Sequence, residues 1–109
     1  MSTPIIPDDF PPDLTWVPLA YQSRVDGVGP LYADCIFRAD GQAKPMAAVL
    51  HGFHCKSRNV TGDAIALARR GLFCVAPDMR GHGLSDWPAH GHDVEHYTRD
   101  ALAVMDALA

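Results

Sequence analysis

Two short runs hold the residues of this chain best suited to chemistry: His51-Gly52-Phe53-His54 and Arg80-Gly81-His82-Gly83-Leu84-Ser85-Asp86. Gly52 lets the backbone turn sharply. The amide of the next residue can then point into a pocket where a developing oxyanion would need a donor. The competing reading is that His51 and Gly52 make an ordinary turn and that Phe53 and His54 pack. Gly81 and Gly83 flank His82 and suit a loop that must reverse direction. They also raise a phosphate-binding reading. That reading is the weaker one, because a dinucleotide fingerprint needs Gly-x-Gly-x-x-Gly leading into a helix, and here Asp86-Trp87-Pro88 follows.

Both runs lie where strands should end. Met46 to Leu50 is an unbroken apolar run that stops at His51-Gly52, and Leu72 to Ala76 is another that stops at Pro77-Asp78, as expected of strands buried on both faces. Between them Val60, Ala64, Ile65, Leu67 and Ala68 recur at helical spacing. Asn59 is placed to cap that helix, Asp63 falls in its first turn, Arg69 and Arg70 in its last, and Gly71 can stop it. The pattern predicts a parallel βαβ unit with a helix from about Val60 to Arg70. Ligands in such sheets bind beyond the carboxyl ends of the strands, here residues 51–57 and 78–86.

The flanking segments are read in the same way. Residues 1–30 contain six of the nine prolines and predict an extended N-terminal segment with turns, Trp16-Val17 and Leu19-Ala20-Tyr21 packing on the body. Leu31 to Arg38 is rich in strand formers. It is expected to pair antiparallel with Met46–Leu50 through a loop around Gly41 to Pro45. Asp93 looks like the cap of a final helix with Val94, Tyr97, Ala101, Val104, Met105 and Leu108 on one face, and with Glu95 and Arg99 paired on the other.

Composition narrows the function. With 109 residues, 48% of them hydrophobic and 20% charged, the chain is ordinary globular material. A net charge of -4 with dispersed basic residues provides no footprint for nucleic acid or an anionic membrane, so neither is an expected partner. No apolar run approaches membrane-spanning length, and the acidic, Pro-rich start is unlike a secretory signal. Cys35, Cys55 and Cys74 are odd in number and far apart, which argues against a disulfide framework and for a reduced, cytoplasmic protein.

Taken together, strand-His51-Gly52-Phe53, helix, and strand-Pro77-Asp78-Met79-Arg80-Gly81-His82-Gly83-Leu84-Ser85-Asp86 resemble the N-terminal half of the α/β-hydrolase fold. The stretch Arg80 to Pro88 with the following helix is similar to the epoxide-hydrolase, haloperoxidase and small-esterase branch, and Arg58 to Arg80 also resembles the peptidase branch. The resemblance covers residues 31–109, a partial α/β-hydrolase domain of short strands and flanking helices. It implies a hydrolase acting on an ester, amide, epoxide or related bond of a small-molecule substrate. In that family the residue after His-Gly supplies one oxyanion-hole amide, here Phe53, with His51, Gly52 and His54 shaping the site. The family's nucleophile stands on a strand-turn-helix elbow within Gly-x-Ser-x-Gly. Gly83-Leu84-Ser85-Asp86-Trp87 lacks the second glycine and runs into Pro88, so Ser85 reads as a turn former. The nucleophile, acid and base are expected after Ala109, and the chain by itself is expected to be inactive.

Two other readings compete. One is a small α/β module that binds without catalysis. The other is a metal centre at His90-x-His92-Asp93 with His96, similar to the metallo-β-lactamase pattern His-x-His-x-Asp-His. Here Asp93 follows the second histidine directly and His96 is displaced by one, so the ligand geometry does not carry over. Neither a metal nor any other cofactor is expected. Oligomeric state is left open by the sequence.

Overall fold

The computed structural model describes residues 9–23, 26, 28–52 and 55–108. Leu-Tyr-Ala-Asp-Cys-Ile-Phe at 31–37 is buried on both faces nearly throughout, which requires a neighbour on each edge and a layer above and below. The chain supplies all four. Strand β1 (Thr15–Tyr21) pairs antiparallel with β2 (Leu31–Phe37), and β2 pairs antiparallel with β4 (Phe73–Asp78). Strand β3 (Met46–Ala48) lies parallel to β4 on its other edge, giving the order β1-β2-β4-β3.

The parallel βαβ unit is therefore present as expected, but β2 does not form a hairpin with β3. Strand β4 stands between them. The short loop after β2 made a hairpin the local choice, yet a doubly buried strand gains more from lying centrally, and the 38–45 segment is long enough to step across. Phe73 N–H donates to Pro45 O at 2.9 Å, and Val49 N–H to Val75 O at 2.9 Å, extending the β3–β4 ladder at both ends. Pro18 is tolerated in β1 because that strand is an edge. Strand β4 runs on through Pro77 to Asp78, past the last β3 pair at Val75.

Alternation along β2 and β4 sorts the core into two layers. Leu31, Ala33, Cys35 and Val75 pack against Ala103 and Val104 of α2 (Val94–Leu108). Ile36 and Cys74 pack with Leu14 and Trp16 against Ala64 and Ala68 of α1 (Thr61–Arg69). Small residues at 64 and 68 let α1 approach the sheet closely. Asn59 does not cap α1: it lies in a 3-10 turn, Ser57–Val60, and its Oδ1 accepts the Lys56 amide, leaving Val60 to begin the helix without a side-chain cap. Gly71 ends α1 at φ +94°, as its position required. Asp93 does cap α2, accepting the His96 amide at 2.9 Å. The expected face of α2 is largely the inward one: Val104 is buried and Met105 and Leu108 pack on the core, joined by Asp100 and Ala103, whereas Val94 is 79% exposed. Glu95 and Arg99 form the exposed pair predicted, at 3.8 Å.

Candidate functional site

The carboxyl ends of β3 and β4 open on a cavity of about 670 Å³ whose walls include Lys56, His82, Trp87, His92 and Tyr97. A smaller apolar one of about 200 Å³ adjoins it between His51 and Met79. This is the position that a parallel sheet reserves for ligands. His51 and Gly52 lie at its rim, whereas Phe53 and His54 fall outside the described residues.

His51 ties the two strand ends together. The Met79 amide donates to its Nε2 at 3.0 Å, so the ring proton resides on Nδ1, which donates to Gly52 O at 2.8 Å. On the far side of the loop, Ser57 is 1% exposed and held by two carboxylates from different strands. Its amide donates to Asp78 Oδ1 at 2.6 Å, and its hydroxyl to Asp34 Oδ2 at 2.8 Å. Asp34 also accepts Trp16 Nε1–H at 2.7 Å and the Tyr32 hydroxyl, with Arg58 Nε 3.5 Å away and its guanidinium stacked 4.0 Å over the Trp16 ring. A buried carboxylate is tolerable only with such a set of donors. The loop after β3 is thus pinned at both ends, at His51 and at Ser57, in front of the cavity.

The loop after β4 is fixed as firmly. Asp78 Oδ2 accepts the Leu84 amide at 2.9 Å, and Gly83, at φ +51°, passes so close that a Cβ would overlap that carboxylate. Ser85 is 3% exposed. Its hydroxyl donates to Asp78 O and accepts the Tyr32 amide at 2.8 Å, so it bridges β2 and β4. Arg80 is fully buried, its Nε and Nη2 donating to Asp100 at 2.6 and 2.9 Å, while Nη1 and Nη2 reach Asp26 at 2.9 and 3.2 Å. Hydrogen bonds from Arg80 hold the Asp26 carboxyl well below the usual carboxylate range, and Asp100 foremost pushes the Arg80 guanidinium up. Burial first, then nearby Asp100, pushes the Tyr21 hydroxyl up.

Two of the three histidines of the metal reading, His92 and His96, have other partners. His92 contacts Pro88 O at 2.7 Å and Tyr97 Oη at 3.2 Å, and His96 Nδ1 contacts Asp93 Oδ1 at 2.7 Å. Among the described residues no three His, Cys, Asp or Glu side chains converge as a metal site would need. Sequence reasoning passed over Asp34, Ser57, Asp78 and the Arg80–Asp100 pair. Asp34 was visible as a carboxylate inside an apolar strand run, and Asp100 as an acid on the apolar side of α2. Ser57 had no such mark, since its partners are 21 and 23 residues away.

The family model described as "Serine aminopeptidase, S33" matches residues 41–109. The chain belongs to the α/β-hydrolase superfamily. Over 58 residues this α/β-hydrolase chain is 42% identical to a non-heme haloperoxidase of Rhodococcus erythropolis, a match spanning 53% of the chain and 21% of the relative. It is 31% identical over 90 residues to the bifunctional esterase/perhydrolase DCH of Acinetobacter calcoaceticus, spanning 83% of the chain and 31% of the relative. An esterase structure from Exiguobacterium antarcticum superposes with a TM-score of 0.67 at 29% identity, over 82% of the chain and 31% of that protein. The α/β-hydrolase chain therefore spans about a fifth to a third of the length of the relatives it matches. No helix among its described residues is long and apolar enough to cross a membrane.

Proposed function

We propose that this chain forms the N-terminal part of a hydrolase that cleaves an ester, amide, epoxide or related bond in a small-molecule substrate, with the amide of Phe53 as one oxyanion donor. One observation supports this above the others: the loop between His51 and Ser57 is anchored at both ends, by Met79 and by two buried carboxylates, at the cavity beyond the parallel strands. An oxyanion donor must be held in place before charge develops, and the bracing of the loop's two ends supports that reading. The buried hydroxyls of Ser57 and Ser85 are engaged by Asp34, Asp78 and Tyr32, which supports a nucleophile supplied from outside these two loops. The unpaired cysteines, all free thiols, support a cytoplasmic setting.

The test is a chimera in which this chain replaces the matched 90-residue segment of the Acinetobacter esterase/perhydrolase. It should hydrolyse p-nitrophenyl acetate, while the 109-residue chain alone should not. Phe53→Pro removes one amide hydrogen and should lower turnover about 10²–10³-fold, whereas Phe53→Leu should lose far less. Both variants must first melt like the parent. Equal turnover of the two would sink the oxyanion assignment, and a folded chimera without activity would favour a module that binds without catalysing.

A further inference from the structure

We infer that the larger cavity takes a substrate bearing a carboxylate next to a flat apolar group. This rests on the hydrolase reading and names a substrate class for it. The chain carries thirteen acids against nine Lys and Arg, yet no Asp or Glu lines this cavity. What lines it is a set of donors and aromatic faces. Lys56 brings an ammonium that, among the described residues, is paired with no carboxylate. Asn59 uses its Oδ1 to accept the Lys56 amide at 3.0 Å, so what remains of its side chain is two N–H donors.

The aromatic part is built separately. His92 holds the Tyr97 hydroxyl at 3.2 Å while its Nε2 is anchored 2.7 Å from Pro88 O, which fixes the phenol ring as one wall. Tyr97 in turn lies edge-on to His82, with ring centroids 6.5 Å apart. Trp87 is 68% exposed, an uncovered indole at the cavity's edge that a flat apolar group can stack against. The nearest buried carboxylate, Asp78, lies behind Gly83 and is 2% exposed, with its oxygens already accepting the Ser57 and Leu84 amides. Asp86 is exposed outside the cavity and accepts the Trp87 amide. An anion entering here meets the Lys56 ammonium and the two N–H donors of Asn59, and a carboxylate can be held by both.

Three probes separate charge from shape in the 109-residue chain: benzoate, which has both features, benzamide, which keeps the ring, and acetate, which keeps the charge. Binding is followed by ¹H–¹⁵N NMR at the Asn59 side-chain amide and the Trp87 indole. Benzoate should bind more tightly than either of the others and should weaken as salt is raised from 0.05 to 0.5 M. Lys56→Gln should weaken benzoate about two- to fivefold, the size of one solvent-accessible ion pair, with benzamide unchanged. Lys56→Arg should restore benzoate, and Trp87→Ala should weaken both ring probes. The assignment is wrong if benzamide binds as well as benzoate, or if Lys56→Gln leaves benzoate unaffected. It is also wrong if the shifts fall away from these residues. An active chimera without benzoate preference overturns only the substrate class. An inactive chimera that still prefers benzoate overturns the hydrolase reading and leaves the carboxylate site standing.

Discussion

Replacing Asp100 by Asn should be among the most damaging single changes in this protein. Arg80 and Asp100 are both fully buried, and two charge-assisted hydrogen bonds of 2.6 and 2.9 Å join them. Removing one charge of a buried pair leaves the other unneutralised, at about 3–5 kcal/mol. The loss should fall near 3 kcal/mol, because Asp26 keeps hold of Nη1 and Nη2. With a urea slope of about 1–2 kcal/mol/M, that moves the unfolding midpoint down by about 1.5–3 M, read by far-ultraviolet circular dichroism and by the buried Trp16. Asp26→Asn should lose clearly less, since the Asp26 side chain is 21% exposed and water can serve in its place. The double change Arg80→Met with Asp100→Leu should be less damaging than Asp100→Asn alone, because no orphaned charge remains. Equal losses for Asp26→Asn and Asp100→Asn, or a double variant worse than the single, would refute this account of the cluster.

Three further outcomes follow from the same contacts. The Asp26 carboxyl titrates in the folded protein below its ordinary value of 3.8, so its contribution is complete above that range and fades as pH falls below about 5. Urea midpoints taken between pH 6 and pH 3 should therefore drop more steeply for the parent than for Asp26→Asn, and parallel slopes would contradict the pairing. Gly83→Ala forces a side chain into the left-handed region and against the Asp78 carboxylate, and should cost about 2–4 kcal/mol, measured by thermal melting with Gly62→Ala as an unhindered helical control. Iodoacetamide mapped by mass spectrometry should label Cys55 well before Cys35, whose thiol burial pushes up to about 11, and before Cys74, also raised by burial; preferential labelling of either buried thiol would show that the sheet opens readily.

Much of this architecture was determined locally. Two apolar runs, a small-residue helix between them and Gly71 after it specify a parallel βαβ unit because each feature is a short-range preference and all agree. Asp93 and the Glu95–Arg99 pair were legible for the same reason, being contacts three or four residues apart. The place of β2 was not. A hairpin between residues 31–38 and 46–50 satisfied every local rule, and only the need to cover both edges of β4 and both faces of β2 decided against it. The site divides along the same line. His51, Gly52 and the Arg80–Asp86 loop announce themselves by type and spacing, but what holds them in place comes from far along the chain. Ser57 reaches back to Asp34 and forward to Asp78, Ser85 joins β2 to β4, and Arg80 is neutralised by Asp26 and Asp100. Burial turns these ordinary polar residues into obligatory partners, and burial is a property of the assembled sheet and helices that no stretch of sequence carries alone.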